Sequence, residues 1–211
     1  SYASLIVVTL CFSKGTCAQP VNQKGKFTRQ DTLRGSISTG RSWWDVSTYN
    51  IFIEPDYLKK KIKGWNEISF NVLSGGKNKK MQIDLQVPMK IEKIIFNNKE
   101  IKNFKREGNV YWIDFGSYNF IQTYYEGNPP PPPEKPLKLK IYFSGKPREA
   151  INPPWDGGWI WAKDENGNPW MSVACQGLGA SVWYPCKDHQ SDEPNKGASL
   201  TITVPSDLVA V

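Results

Sequence analysis

Residues 137–143 read LKLKIYF, and this stretch decides the class of fold. Its odd-numbered positions are apolar, and lysines stand between them at positions 138 and 140. Because successive side chains of a strand point to opposite faces, this alternation is typical of a strand with one face in the core and one in water. It predicts a half-buried β-strand here.

The same period-two alternation recurs along most of the chain. It is found at residues 49–53, 68–72, 81–87, 110–115 and 200–204. Prolines and glycine turns separate these stretches, and Pro55, Pro88 and Pro205 are expected to end strands. No stretch of ten or more residues shows the helical period of 3.6. We therefore predict an all-β fold in which multi-stranded antiparallel sheets form a sandwich-like assembly.

The first residues predict export. Residues 3–12 (ASLIVVTLCF) form an apolar run that is too short to cross a bilayer, which needs about 20 residues. Small residues follow, with Thr16 and Ala18 at the positions expected for a cleavage site. We predict a signal peptide over residues 1–18 and a periplasmic or extracellular protein. A buried strand is the alternative interpretation of this run.

The rest of the chain divides into a leader and a domain. Residues 19–42 are mostly polar and are predicted to be a flexible leader, and residues 43–211 are predicted to be one β domain. Five prolines at 129–133 predict a stiff polyproline II segment on the surface. Residues 208–211 look like the start of another apolar strand, so we expect the natural polypeptide to continue.

The charge and the cysteines exclude some classes of function. The net charge of +7 comes mostly from scattered lysines, which commonly protect strand edges, so we expect no nucleic-acid partner. No later segment is apolar enough to span a membrane. Cys175 and Cys186 remain after removal of the signal peptide. An oxidising compartment permits a disulfide between them, but their separation in space is not given by the sequence, so the question stays open.

The sequence contains no complete catalytic centre. His189 is the only histidine, which excludes an HExxH zinc site, and no GxSxG, P-loop or GxGxxG motif is present. Cys186 lies three residues before His189, but nucleophile–base pairs seldom come from adjacent residues. We predict no catalytic residue and no metal ligand in this chain.

Five tryptophans and several carboxylates are concentrated near the end of the chain, with the tryptophans at positions 155, 159, 161, 170 and 183. Packing between sheets is one interpretation of these rings. A platform for sugar rings is the other, so a carbohydrate-binding β-sandwich is the alternative function.

Residues 153–194 read PPWDGGWIWAKDENGNPWMSVACQGLGASVWYPCKDHQSDEP, and a strand ending in VPSDLVAV follows. This stretch resembles the end of the N-terminal domain of the aminopeptidase N-like zinc metallopeptidases, the group that includes leukotriene hydrolases. Family members have a Gln or Glu after a strand, a small residue four positions on, and a Pro-Cys-x-Asp element ten residues after the Gln or Glu. Here these are Gln176, Ala180, and residues 185–188.

Upstream segments extend the resemblance. Residues 45–73 resemble the first hairpin of the family, and residues 81–101 resemble its next strands. Two departures indicate a divergent subgroup: Ser181 and Val182 stand where the family often has Arg, and Asp192-Glu193-Pro194 comes later than the usual Asp-Glu-Pro.

The resemblance implies a saddle-shaped β domain that packs on a downstream catalytic domain of the same polypeptide. That second domain would hold zinc through HExxH and a distal Glu, so this chain alone would be inactive. Gln176 would help to bind the free N-terminus of a peptide substrate. A non-catalytic relative, in which the fold serves as an interaction scaffold, is a third possibility.

Overall fold

The computed structural model of the protein describes residues 26–121, 136–153 and 155–211. The predicted signal peptide and the five consecutive prolines lie outside these ranges. One short α-helix, eleven strands and a single 3₁₀ turn at Ala180–Val182 are present in the described part of the chain. In chain order the α-helix and the strands are α1 Arg29–Gly35, β1 Trp44–Asp56, β2 Lys61–Val72, β3 Lys80–Asp84, β4 Lys90–Phe96, β5 Lys99–Ile101, β6 Phe104–Glu107, β7 Val110–Asp114, β8 Leu137–Gly145, β9 Gly158–Lys163, β10 Pro169–Ala174 and β11 Ala198–Ile202.

The strands form three sheets. The largest has six strands in the order β11-β1-β2-β8-β4-β5, a second has the order β3-β7-β6, and β9 and β10 form a hairpin. Every pairing is antiparallel except that of β1 with β11. The prediction of an all-β fold of antiparallel sheets is confirmed, and the parallel β1–β11 pair is an exception to it.

One hydrophobic core joins the sheets. Ile53, Phe70 and Phe143 of the large sheet belong to the same buried cluster as Ile83 and Ile113 of the three-stranded sheet. Full burial of a side chain of this size stabilises a fold by about 1.5–3 kcal/mol. The alternating apolar residues of the predicted strands therefore form the layer between the sheets, as in a sandwich.

Several predicted strand ends differ from the structure, and β11, for example, ends at Ile202 although the alternation extends to Val204. Pro55 was expected to end its strand, but β1 continues through it and Pro55 pairs with Ile62. The pairing of β1 with β11 already ends at Ile53, so the missing N–H of Pro55 lies outside that ladder. The alternation over residues 81–87 predicts a strand as far as Val87, whereas β3 ends at Asp84 and Val87 is exposed.

The helix α1 lies inside the segment predicted to be a flexible leader, where no helix was predicted. Thr28 and Asp31 form a capping box, in which each side chain accepts a hydrogen bond from the backbone of the other residue. Leu33 on the opposite side of the helix is 2% exposed. This helix is therefore fixed at both its start and its apolar face.

Within the described residues, no helix has the length and apolar character needed to cross a membrane.

Candidate functional site

Gln176 lies in a turn that follows β10. The carbonyl oxygen of Cys175 accepts hydrogen bonds from the backbone N–H groups of Leu178 (3.2 Å) and Gly179 (2.9 Å). Gly177 has φ +74°, a left-handed conformation that favours glycine. The Gln176 residue is exposed. The turn thus presents this amide side chain to solvent at the end of the β9–β10 hairpin.

Two residues distant in sequence hold the carbonyl groups of this turn. Nη2 of Arg34, on α1, donates a hydrogen bond to the carbonyl oxygen of Gly177 (2.5 Å). Nε2 of Gln86 donates to the carbonyl oxygen of Leu178 (2.6 Å). The backbone N–H of Gln86 also donates to the carbonyl oxygen of Ser181 (2.9 Å). The segment after Gln176 is therefore attached both to α1 and to the loop after β3.

The Pro-Cys-x-Asp element, residues 185–188, is clamped against the large core. Cys186 and Asp84 exchange two backbone hydrogen bonds, of 2.8 and 3.1 Å. Nδ2 of the buried Asn66 donates to the carbonyl oxygen of Pro185 (2.9 Å), and the backbone N–H of Lys187 donates to the hydroxyl of Tyr49 (3.0 Å). These contacts give the element a structural role in fixing the chain after the turn.

A buried ion pair lies behind this element. Nη2 of Arg41 is 2.7 Å from Oδ1 of Asp84, and the two side chains are 0% and 6% exposed. Burial raises the pKa of Asp84 above its ordinary value, although Arg41 acts in the opposite direction. Oδ2 of Asp84 accepts from the backbone N–H of Asp188 (2.9 Å), whose own carboxylate accepts from the hydroxyl of Ser181 (2.6 Å). The pair thus connects β3 to both ends of the segment 181–188.

The cysteines do not form a disulfide in the structure, which answers the question left open by the sequence. Cys186 is buried, and burial raises the pKa of its thiol well above the ordinary value. The ring of His189 lies against the hydroxyl of Ser191 (2.7 Å) and the carbonyl oxygen of Gly35 (3.2 Å). This arrangement pairs the imidazole with other groups and leaves Cys186 as a core residue.

The tryptophan cluster divides between core and surface. Trp159 and Trp183 are buried and pack edge to face with ring centroids 5.9 Å apart, and Trp161 packs on Trp159 at 5.3 Å. Trp155 and Trp170 are 71% and 57% exposed. Three of the five rings therefore pack in or against the core, as the packing interpretation predicts, and two are exposed.

An exposed apolar surface, which we name the β10–β11 surface, is formed by Trp170, Val173, Leu200 and Ile202. In the register of the parallel pair, Leu200 lies beside Ile51 and Ile202 beside Ile53, on the core side of the sheet. Leu200 and Ile202 are nevertheless 51% and 37% exposed. They line a groove of about 400 Å³ together with Trp170 and Val173. The core face of the large sheet is therefore uncovered at this edge.

The described residues do not fit a zinc centre. Among them, no group of three or more His, Cys, Asp or Glu side chains is arranged to hold a metal ion. A catalytic zinc requires three protein ligands.

The fold is one that is found in zinc metallopeptidases. The chain matches the M1 zinc metallopeptidase of Deinococcus radiodurans with a TM-score of 0.52 and 16% identity, over 78% of this chain and 33% of that one. It also matches yeast LTA4 hydrolase in complex with bestatin, with a TM-score of 0.53 and 15% identity, over 77% of this chain and 23% of the hydrolase. The resemblance stated from the sequence is thus confirmed for the fold.

The chain spans about a third of the Deinococcus protein and about a quarter of the yeast hydrolase. No protein-family model matches the sequence, and no curated protein matches it either. The identities are too low to carry more than the fold.

Gln176 was predicted from the sequence as a substrate-binding residue, whereas Arg34 and Gln86, which hold its turn, were not predicted. Arg34 lies 143 positions before Gly177 in the chain, so no local pattern connects the two. One signal for its helix was present, because Thr28 and Asp31 have the spacing of a capping box. That signal predicts a helix start and says nothing of what the helix contacts.

Proposed function

We propose that this chain is the N-terminal, non-catalytic domain of an exported zinc aminopeptidase. The observation that carries the proposal is the shared fold with part of the Deinococcus M1 zinc metallopeptidase, combined with the position of Gln176 on an exposed turn. The match covers 33% of that relative, which leaves enough length in it for the catalytic domain that the proposal requires.

In this proposal Gln176 accepts a hydrogen bond from the free α-ammonium group of a peptide substrate. An ammonium that leaves water needs fixed acceptors, since an unsatisfied polar group costs about 1–3 kcal/mol and a charged one more. An amide oxygen on a turn held at Gly177 and Leu178 is such an acceptor. Carboxylates of the catalytic domain would complete the shell.

The β10–β11 surface supports packing on that second domain. Exposed apolar patches bounded by polar residues are typical of surfaces that contact another protein or domain. Leu200 and Ile202 continue the core face of the sheet and lack a covering layer among the described residues. We expect the catalytic domain to cover them.

Zinc belongs to the catalytic domain in this proposal, where it would activate a water molecule for hydrolysis. This chain alone is then inactive as a peptidase. The apolar run at residues 3–12 supports export, and the mature protein would act in the periplasm or outside the cell.

The test measures aminopeptidase turnover by the full-length protein and by Gln176→Ala. Loss of a hydrogen bond to a charged group costs about 1.5–3 kcal/mol, so kcat/KM should fall by about 10- to 150-fold. Gln190→Ala, which changes another exposed glutamine, is the matched control and should keep full activity. Unchanged kcat/KM in Gln176→Ala would contradict the assigned role.

Two further results would contradict the wider proposal. One is measurable peptidase turnover by pure residues 19–211. The other is a full-length protein without zinc-dependent turnover whose tryptophan fluorescence shifts on titration with a polysaccharide. The second result would favour the carbohydrate-binding alternative, for which Trp155 and Trp170 are the exposed rings.

A further inference from the structure

The turn that carries Gln176 is intrinsically loose. Gly177 and Gly179 both have positive φ angles, of +74° and +82°. Glycine has the largest conformational freedom of any residue, so a turn containing two glycines is costly to order. Its own hydrogen bonds are the two that converge on the carbonyl oxygen of Cys175. Other parts of the fold must supply the remaining order.

We propose that Arg34 and Gln86 are positioning residues that hold this turn and thereby orient Gln176. Arg34 reaches the carbonyl oxygen of Gly177 from α1, and Gln86 reaches that of Leu178 from the loop after β3. Gly177 and Leu178 are the two residues that follow Gln176. That the two residues hold the turn does not depend on the proposed function. That the turn orients Gln176 toward a peptide substrate rests on the proposed function.

The helix that carries Arg34 is itself firmly held. Nη1 of the buried Arg41 donates to the carbonyl oxygens of Arg34 (3.0 Å) and Ser36 (2.8 Å) at the end of α1. Nε2 of Gln82 donates to the carbonyl oxygen of Leu33 (2.8 Å). Leu33 is also buried, so α1 is attached to the rest of the domain by Arg41, by Gln82 and by its own apolar side chain. Arg34 therefore contacts the turn from a fixed base.

This arrangement lowers the cost of binding. A ligand that engages a mobile turn must order it, whereas a turn that is already held binds without that loss of entropy. The contact is one charge-assisted hydrogen bond from an exposed arginine. Its removal should therefore weaken the action of Gln176 and leave the domain folded.

The experiment is a double-mutant cycle in the full-length protein. Arg34→Met should lower kcat/KM by about three- to tenfold, the factor that corresponds to one hydrogen bond. Arg34→Lys keeps the charge and one donor and should recover part of the loss. In a Gln176→Ala background, Arg34→Met should cause no further loss, because it acts through Gln176. Arg29→Met is the matched control: Arg29 lies on the same helix and pairs with Glu107 at 2.8 Å.

Hydrogen exchange on the same variants gives a readout that is independent of turnover. The amides of Leu178 and Gly179 are hydrogen-bonded within the turn. Peptides that cover them should therefore exchange faster in Arg34→Met than in the unchanged protein, and at the same rate in Arg29→Met. Unchanged exchange in Arg34→Met would overturn the inference, as would equal losses of kcat/KM in the two backgrounds. If Gln176→Ala keeps full activity, the proposed function fails instead, and the exchange rates still decide whether Arg34 holds the turn.

Discussion

Removal of the Asp84 carboxylate should greatly lower the free energy of unfolding of this domain. In Asp84→Ala, the guanidinium of Arg41 remains buried at 0% exposure without its charged partner. The backbone N–H of Asp188 and Nε2 of Gln82 also lose their acceptor. Breaking one side of a buried ion pair typically costs about 3–5 kcal/mol. Since whole domains are stable by about 5–15 kcal/mol, the variant should be marginal but still folded at low temperature.

Urea unfolding followed by tryptophan fluorescence measures this loss. With an m value of about 2 kcal/mol/M, a loss of about 4 kcal/mol lowers the midpoint by about 2 M. The control is Glu54→Ala, which removes the exposed partner of Lys63 and should change stability by about 1 kcal/mol or less. The double variant Arg41→Met/Asp84→Leu should regain part of the loss, because no unpaired charge remains.

The result that refutes this reasoning is a midpoint for Asp84→Ala that equals that of Glu54→Ala. It would mean that water reaches Arg41 and that the pair is not buried in solution. A changed m value with the same midpoint would instead mean that the compactness of a folded or unfolded state had changed.

Three more predictions test the turn, the thiols and the uncovered surface. Gly179→Ala should lower the free energy of unfolding, measured in urea, by about 1–3 kcal/mol. The backbone at Gly179 has φ +82° and ψ 167°, which favours glycine, and a Cβ there would lie 2.1 Å from a carboxylate oxygen of Asp188. Gly177→Ala should cost less, because the space around Gly177 is open. The Cys186 thiol should not react with a disulfide reagent at pH 8 until the protein is denatured, because burial raises its pKa and the thiolate forms only at higher pH. Rapid labelling at Cys186 itself in a native Cys175→Ser variant would contradict this. Trp170→Ser should barely change the melting temperature of this chain alone but should lower that of the full-length protein, and equal shifts in calorimetry would argue against a covering domain.

The strands could be predicted because the alternation of apolar and polar residues in each one is visible within a few consecutive residues. β1, β2 and β8 keep one face in the core, so their apolar residues recur at every second position. β11 has the same alternation, yet all five of its residues are exposed. The period-two alternation therefore predicts which face of a strand is apolar. It does not predict whether another part of the protein covers that face.

The residues around Gln176 could not be predicted because their contacts join distant parts of the chain. Arg34 and Gln86 both read as ordinary polar residues, one in a polar leader and one at a strand end. Only the packing of α1 beside β3 brings them to the same turn. Long-range hydrogen bonds of this kind leave no period and no motif in a single sequence.

The ten-residue interval between Gln176 and Cys186 has a physical cause in this structure. Its first end is fixed by the turn that closes on Cys175, and its last end is fixed by the backbone pairing of Cys186 with Asp84. Ser181 lies between these two ends, and its hydroxyl donates a hydrogen bond to the carboxylate of Asp188, two residues beyond Cys186. An inserted or deleted residue would break one of these anchors, so the spacing that carries the resemblance is also the spacing that keeps Gln176 at the end of its hairpin. The bond of Ser181 to Asp188 shows that a short polar side chain can hold this loop without a charge of its own.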